Sequence, residues 1–262
     1  MASLPPFSAD PRVVPLVIEA ARELTVFGAP AHAALLPHRA RRANRPGETR
    51  PAFRRNPAAH IVSAEAMWRG DGLALTPNRY PMLAEQRILW HALPQPHPGL
   101  PMWRAVHEWV DAHRGSALHN TVGAAASIAA AHVHLTRERS SFLSKLPLRP
   151  GTLELVEVDD LQIEAAAVPF CLLRLSGAPK VRAAGVEQLA GARLTAAWNV
   201  VVEPGATWVY PRRKETPAPH FPQALGAAEL WGRWCHTDEA GFEAASAAAM
   251  ERALVEAGCE PL

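Results

Sequence analysis

The chain has 262 residues, 48% of them hydrophobic, which is enough for one large or two small domains with a core that needs no staples. Lysine and arginine total 27 against 25 aspartate and glutamate, a formal net charge of +2. That excludes the strongly basic balance of a protein wrapped along nucleic acid and leaves a small phosphorylated ligand compatible.

Cys171, Cys235 and Cys259 stand far apart, so neither a disulfide framework nor a Cys-x-x-Cys metal knuckle is expected. Met1-Ala2-Ser3-Leu4-Pro5-Pro6 lacks a basic start followed by an apolar core, and no uncharged apolar run approaches a membrane span. The default location is the cytoplasm. The 25 prolines are roughly twice the usual share of about 5% and predict long, stiffened loops.

Asp10-Pro11 reads as an N-cap and N1 proline, and Val14, Leu16, Val17, Ala20 and Leu24 then recur at helical spacing up to Gly28, predicting a first helix. Residues 37–56 are basic, proline-rich and without apolar period, predicting an exposed loop that orders over an anion or simply stays solvated. Leu73–Pro77 reads as a short strand, followed by helical patterns near 80–92 and from Pro101 to His113, with Gly115 as a stop. From Ala117 to Arg137 a strand runs to about Val122, a loop of small residues follows, and a second strand carries two histidines. Further strands are expected at 152–158, 168–175, 196–203 and 206–212, with a helix near 180–192. A last helix begins at Thr237-Asp238-Glu239 and stops at Gly258. Strands and helices mix without regular alternation, which points to an antiparallel α+β fold. No internal repeat is defensible from the residues, although a mixed strand-helix pattern occurs in both halves.

Residues two apart in a strand share a face, so His132 and His134 project together while Val133 and Leu135 face the other way. A His-x-His pair alone is more often structural or metal-binding than nucleophilic. The preceding loop changes the balance. Asn120, Gly123, Ala124-Ala125-Ala126 and Ser127 offer small side chains, so that backbone N–H groups, one amide and one hydroxyl can approach an anion; the bland alternative is a tight turn packed with alanine. A neutral imidazole attacks phosphorus without a separate base, provided that its second nitrogen donates to a fixed acceptor, for which a backbone carbonyl near His132 would serve.

Asn120-x-x-Gly123-Ala124-x-Ala126-Ser127-Ile128 followed by His132-x-His134-Leu135 resembles the active-site segment of the histidine-triad superfamily, most closely its GDP-hexose phosphorylase branch. Trp198-Asn199-Val200 with Tyr210-Pro211-Arg212-Arg213-Lys214 is similar to that branch's strand pair, and Ala227–Gly232 followed by Phe242-Glu243-x-Ala245-Ser246 to its closing strand and helix. The likeness covers about residues 70–257 and extends, less tightly, to galactose-1-phosphate uridylyltransferases and diadenosine tetraphosphate phosphorylases.

The resemblance implies a histidine-triad-like antiparallel sheet with flanking helices, with His134 as nucleophile, His132 as its support, and Asn120 and Ser127 at the phosphate. The family has His or Gln two residues after the nucleophile; this chain has Thr136, whose hydroxyl still donates to a phosphate oxygen but with shorter reach. Two more residues than in the phosphorylase branch separate Gly123 from the histidines. Arg212, Arg213 and Lys214 follow a strand and are expected either to neutralise a second phosphate or to form a solvated turn. Glu229, in an expected strand near Gly232, matches a family acidic position but suits a structural salt bridge as well. His220 and His236 read as surface or capping residues, no metal or cofactor is expected, and Trp68, Trp90, Trp103 and Trp109 read as core.

These readings divide the chain into an N-terminal helix and basic loop (1–69), a catalytic half (70–150) and a C-terminal half that completes the fold (151–262). The expected activity is nucleotidyl transfer or phosphorolysis of a nucleoside diphosphate sugar or dinucleotide through a nucleotidyl-histidine, with phosphate or a sugar phosphate as acceptor. A hydrolase of nucleotide conjugates and a non-catalytic nucleotide-binding protein are the alternatives. The expected partners are a nucleotide or nucleotide sugar and inorganic phosphate, with no membrane partner, nucleic acid disfavoured, and a homodimer by analogy with related folds.

Overall fold

The computed structural model describes residues 4–41, 53, 55–151, 153, 156–192 and 195–262. The chain begins with a hairpin of β1 (Ala20–Val26) and β2 (Ala29–Leu35). Its two-residue turn, Phe27-Gly28, has φ of 48° and 77°, the type I′ geometry that matches strand twist. The helix expected up to Gly28 is therefore absent. Ala20, Arg22, Leu24 and Val26 turn inward and Ala21, Glu23 and Thr25 outward, a period of two that competes with the helical spacing read upstream. Asp10 caps no helix and instead accepts from the backbone N–H and guanidinium of Arg12.

The basic loop expected over 37–56 lies mostly outside the described residues; at its ends stand a 3-10 turn at Pro37–Arg41 and the start of helix α1 (Arg55–Glu65). Then come β3 (Trp68–Gly70), β4 (Leu73–Pro77), β5 (Arg87–His91), helix α2 (Gly99–His113), β6 (Ser116–Asn120) and β7 (His132–Thr136). The helix expected near 80–92 is replaced by a turn and β5. Pro81 disfavours helix for Tyr80 before it, Glu85 takes a positive φ of 49°, and Ile88-Leu89-Trp90 suits a strand paired on both sides. Arg114, with φ of 52°, ends α2 in the left-handed region, so it is the stop expected of Gly115. Gly115 has another reason: a Cβ there would stand 2.5 Å from the Thr136 carbonyl oxygen and 2.8 Å from the Trp109 ring.

The remaining elements are α3 (Phe142–Lys145), β8 (Leu148–Pro150), β9 (Gln162–Ala166), β10 (Leu173–Ser176), α4 (Pro179–Ala192), β11 (Ala197–Glu203), β12 (Ala206–Arg212), α5 (Ala227–Leu230), β13 (Arg233–His236), α6 (Glu239–Ala244) and α7 (Ala247–Ala257). Residues 152, 154 and 155 of the strand expected at 152–158 lie outside the described residues, and 156–158 are irregular. The strand expected at 168–175 begins only at Leu173, after Pro169. The last helix is two, because Ser246 takes extended backbone and caps α7 by accepting from Ala249 N–H, as Asp238 caps α6 from Gly241 N–H.

Among the described residues ten strands form one antiparallel sheet in the order β3-β4-β5-β7-β6-β11-β12-β10-β9-β8. Each half has the same succession: three strands, a helix (α2 or α4), then two strands, with the last strand inserted beside the third. The halves meet at β6 and β11, where Asn120 lies opposite Asn199. One face carries α2 and α4 packed together over Leu89, Val133, Leu135, Val200, Val202 and Val209. Against the other lie α3, α5 and a small sheet in which β2 pairs antiparallel with β1 and parallel with β13, tying the N-terminal hairpin to the C-terminal segment.

Candidate active site

β7 is flanked by β5 and β6, and its alternation sends Val133 and Leu135 into the helix-covered core and His132, His134 and Thr136 to the opposite face. Register places His132 beside Trp90, and His134 between Ile88 and Leu118. Both imidazoles are buried. The His132 ring stacks on Trp90 at 4.8 Å between centroids and 27° between planes, and meets His134 edge-on at 5.2 Å and 80°. Trp90 is held in turn by its Nε1–H, which donates to Thr76 Oγ1 at 2.9 Å.

The His132 Nδ1–H donates to the Ala130 carbonyl at 2.8 Å. A carbonyl only accepts, so Nδ1 carries the proton and, in the neutral ring, Nε2 keeps the lone pair. The carbonyl expected to orient an imidazole is thus Ala130's, and the ring it orients is His132. The carbonyl of His132 itself accepts from His119 Nδ1–H at 2.8 Å, from the other side of the sheet. Burial pushes His119 down to about 4, against the raising effect of that hydrogen bond, and its ring packs edge-on to Trp103 at 5.3 Å. The start of β7 is therefore fixed from both faces by two imidazoles and a stacked indole. Neither Trp90 nor His119 stands out in the sequence as a site residue, because Trp90 reads as core and His119 alternates away from Asn120.

The loop of small residues is more committed than expected. The N–H groups of Ala124 and Ala126 donate to the Thr121 carbonyl, and that of Ala125, at φ of 72°, to Glu215 Oε1 at 2.8 Å. The amides expected to meet an anion thus close a turn upon a carboxylate instead. Gly123 takes a φ of 85°, which makes it the turn's glycine, and Ser127 is half-buried. Asn120 turns its Oδ1 inward, accepting from Asn199 Nδ2 at 2.7 Å and Ala227 N–H at 2.8 Å, so only its Nδ2 is left for a ligand.

Thr136 shares this face, but its hydroxyl is already engaged. Fully buried, it donates from Oγ1 to the Ala84 carbonyl at 2.8 Å and accepts from Glu138 N–H, while Glu138 accepts from Ala84 N–H and pairs with Arg233 at 2.7 Å. Its one proton is used to pin the turn before β5.

Arg212 is likewise a buried tie: its guanidinium donates to Asn199 Oδ1 and to the carbonyls of Leu225, Lys214, Glu215 and Ala257. The exposed Arg213 pairs with Glu260, past the end of α7, and Lys214 with Glu256 on α7, so the three cations are not gathered at the histidines. Glu229 lies in α5, not a strand, and is wholly buried; burial pushes its carboxyl above the usual carboxylate range, opposed by the Gly226 and Cys235 N–H groups from which it accepts. His236 is buried edge-on to Phe221 rather than at the surface, and His220 is half-buried 3.9 Å from Glu256. Among the described residues no three His, Cys, Asp or Glu side chains are grouped to hold a metal ion, and no helix is long and apolar enough to cross a membrane.

No protein-family model matches the chain, and no curated protein matches it. Solved structures do. The yeast Ap4A phosphorylase Apa2 in complex with Ap4A superposes with a TM-score of 0.70 over 96% of this chain and 93% of that one, at 14% identity. The same yeast enzyme in complex with AMP gives 0.67 over 93% and 89% at 13% identity, and its ligand-free crystal structure 0.65 over 93% and 90% at 14% identity. The α+β fold is therefore the one shared with this phosphorylase, as the histidine-triad resemblance implied.

Proposed function

We propose that this protein transfers a nucleotidyl group through a covalent adduct on His134, taking it from a nucleoside diphosphate sugar or a dinucleotide and passing it to phosphate or a sugar phosphate. The observation that carries this reading is the paired presentation of His132 and His134 on one sheet face, the first ring locked by Ala130 and Trp90 and the second set perpendicular to it. The fold shared with yeast Ap4A phosphorylase supports it.

In the first displacement a lone pair of the His134 imidazole attacks the α-phosphorus, and the bond from phosphorus to the bridging oxygen breaks, releasing a sugar phosphate or nucleotide. In the second, a phosphate oxygen attacks the same phosphorus from the vacated side and the P–N bond breaks, returning the imidazole. His132, its tautomer fixed, holds the neighbouring ring's orientation, and Asn120 offers its Nδ2 to a phosphoryl oxygen. Ser127, at the end of the small loop, offers a hydroxyl. With water as acceptor the same adduct gives a hydrolase, and product analysis with and without phosphate separates the two.

The test is intact mass after quenching with UDP-, GDP- and ADP-glucose and with diadenosine tetraphosphate. A gain of one nucleotidyl unit is expected, lost in His134→Ala; full turnover by His134→Ala would remove the nucleophile from the scheme.

A further inference from the structure

Phosphoryl transfer develops negative charge on the non-bridging oxygens and needs donors already in place to meet it. On the histidine face most of the expected donors are engaged: the Ala124 and Ala126 amides close their own turn, the Ala125 amide meets Glu215, Thr136 bonds to Ala84, and Arg212 ties β12 to Asn199 of β11 and to the segment after it. Gln86 differs from these. It directly precedes β5, and one step beyond the pairing of Arg87 with Leu135 it comes to lie opposite Thr136. Its parity with Ile88 and Trp90 sends its side chain to the face that carries His132 and His134. His134 is then its diagonal cross-strand neighbour, a separation of roughly 7–8 Å between backbones that a long side chain spans.

Gln86 is fully buried. Its Oε1 accepts from Met82 N–H at 2.9 Å, which settles which end of the amide is which. Its Nε2 is buried with no hydrogen-bond partner among the described residues. Two N–H donors left unmet in the interior cost about 1–3 kcal/mol, a cost recovered only when an acceptor arrives.

On the reading proposed above, we infer that Gln86, not Thr136, is the side-chain donor of this strand pair to the transferred phosphoryl group. The anionic oxygens of a nucleotide α-phosphate, seated at His134, accept from Gln86 Nε2 while Met82 holds the amide by its oxygen. The neighbouring strand thereby supplies a donor that β7 does not.

Gln86→Glu keeps an oxygen for Met82 N–H and loses the donor, and Gln86→Met loses both without adding charge. Adduct formation is followed by quenched intact mass under single-turnover conditions with each of the nucleotide substrates named above, and AMP, GMP and UMP binding by calorimetry, with thermal melts as a check of folding. Both variants are expected to form the adduct slower by on the order of 10²-fold and to bind the monophosphate more weakly, with Gln86→Glu melting below wild type because it buries a carboxyl in place of an amide. Wild-type rates and affinities in folded Gln86→Met would overturn the inference, whatever becomes of His134. If wild-type protein forms no adduct, the covalent scheme fails, and the Gln86 assignment is decided by monophosphate affinity alone: weaker in both variants sustains it, unchanged refutes it.

Discussion

Asn199 and Asn120 face each other where the two halves of the large sheet join, and the Nδ2 of Asn199 donates to the Oδ1 of Asn120 at 2.7 Å. The same Nδ2 donates to the Ala124 carbonyl, and the Oδ1 of Asn199 accepts from Arg212. One fully buried amide therefore joins the strand before the small loop, the loop itself and the cation at the end of β12.

Asn199→Ala leaves the Ala124 carbonyl and one Arg212 N–H without their partners in the interior. At about 1–3 kcal/mol for each orphaned group, a loss of roughly 2–6 kcal/mol is expected in urea unfolding. Hydrogen exchange at Ala124–Ala126 should speed up more than at β4 or β9, because the loop loses its anchor. Uniform acceleration across the sheet would mean that the amide stabilises the fold without specifically holding the site.

The histidine strand was readable because its alternation of polar and apolar residues is regular and the residues before it, Ala129-Ala130-Ala131, are small. The hairpin at Phe27-Gly28 was not, since Val14, Leu16, Val17, Ala20 and Leu24 fit a helical template as well as they fit an extended lead-in and strand. The two-fold repetition of the halves was hidden for a different reason. Topology is kept while the residues at matching places serve unlike ends, as with the catalytic candidates on β7 and the buried tie Arg212 on β12. Gln86 was hidden by the helix read over 80–92, which removes the period of two that puts it on the face of His134.

Thr136→Val tests the clamp. The hydroxyl links the Ala84 carbonyl to Glu138 N–H, and its removal strands two backbone groups beneath a packed turn. A loss of about 1–3 kcal/mol in chemical denaturation is expected. The rate of adduct formation per folded molecule should fall far less than in Gln86→Met; a larger fall would return Thr136 to the phosphate.

Acid should loosen the fold through two buried histidines. Burial pushes His119 down to about 4 and His107 down to about 3, whereas an unfolded histidine protonates near 6.5. The unfolded chain thus binds more protons in that interval, so the stability contributed by the neutral rings is full above pH 6.5 and is lost as pH falls towards 4 and 3. Each contributes a slope of about 1.4 kcal/mol per pH unit within its window. His119→Gln keeps a donor for the His132 carbonyl and does not titrate, so its urea stability measured from pH 7 to 5 should fall less steeply, by about one proton's worth. Equal slopes would place the acid sensitivity elsewhere.

Glu203 pulls the other way. Burial raises its carboxyl to about 7, opposed by the hydrogen bond from Trp208 Nε1 and by Arg139 and Arg174. The folded chain retains this proton where the unfolded chain has released it, so the associated stability is complete below about 4.5 and is lost as pH climbs through 7. Glu203→Gln keeps an oxygen for the indole N–H and cannot ionise. Its stability relative to wild type should rise steadily between pH 4.5 and 7 and level off above, with a total gain of at most roughly 3 kcal/mol. A difference that is flat with pH would show that the carboxylate is already ionised in the folded protein at pH 4.5, and that the arginines outweigh its burial.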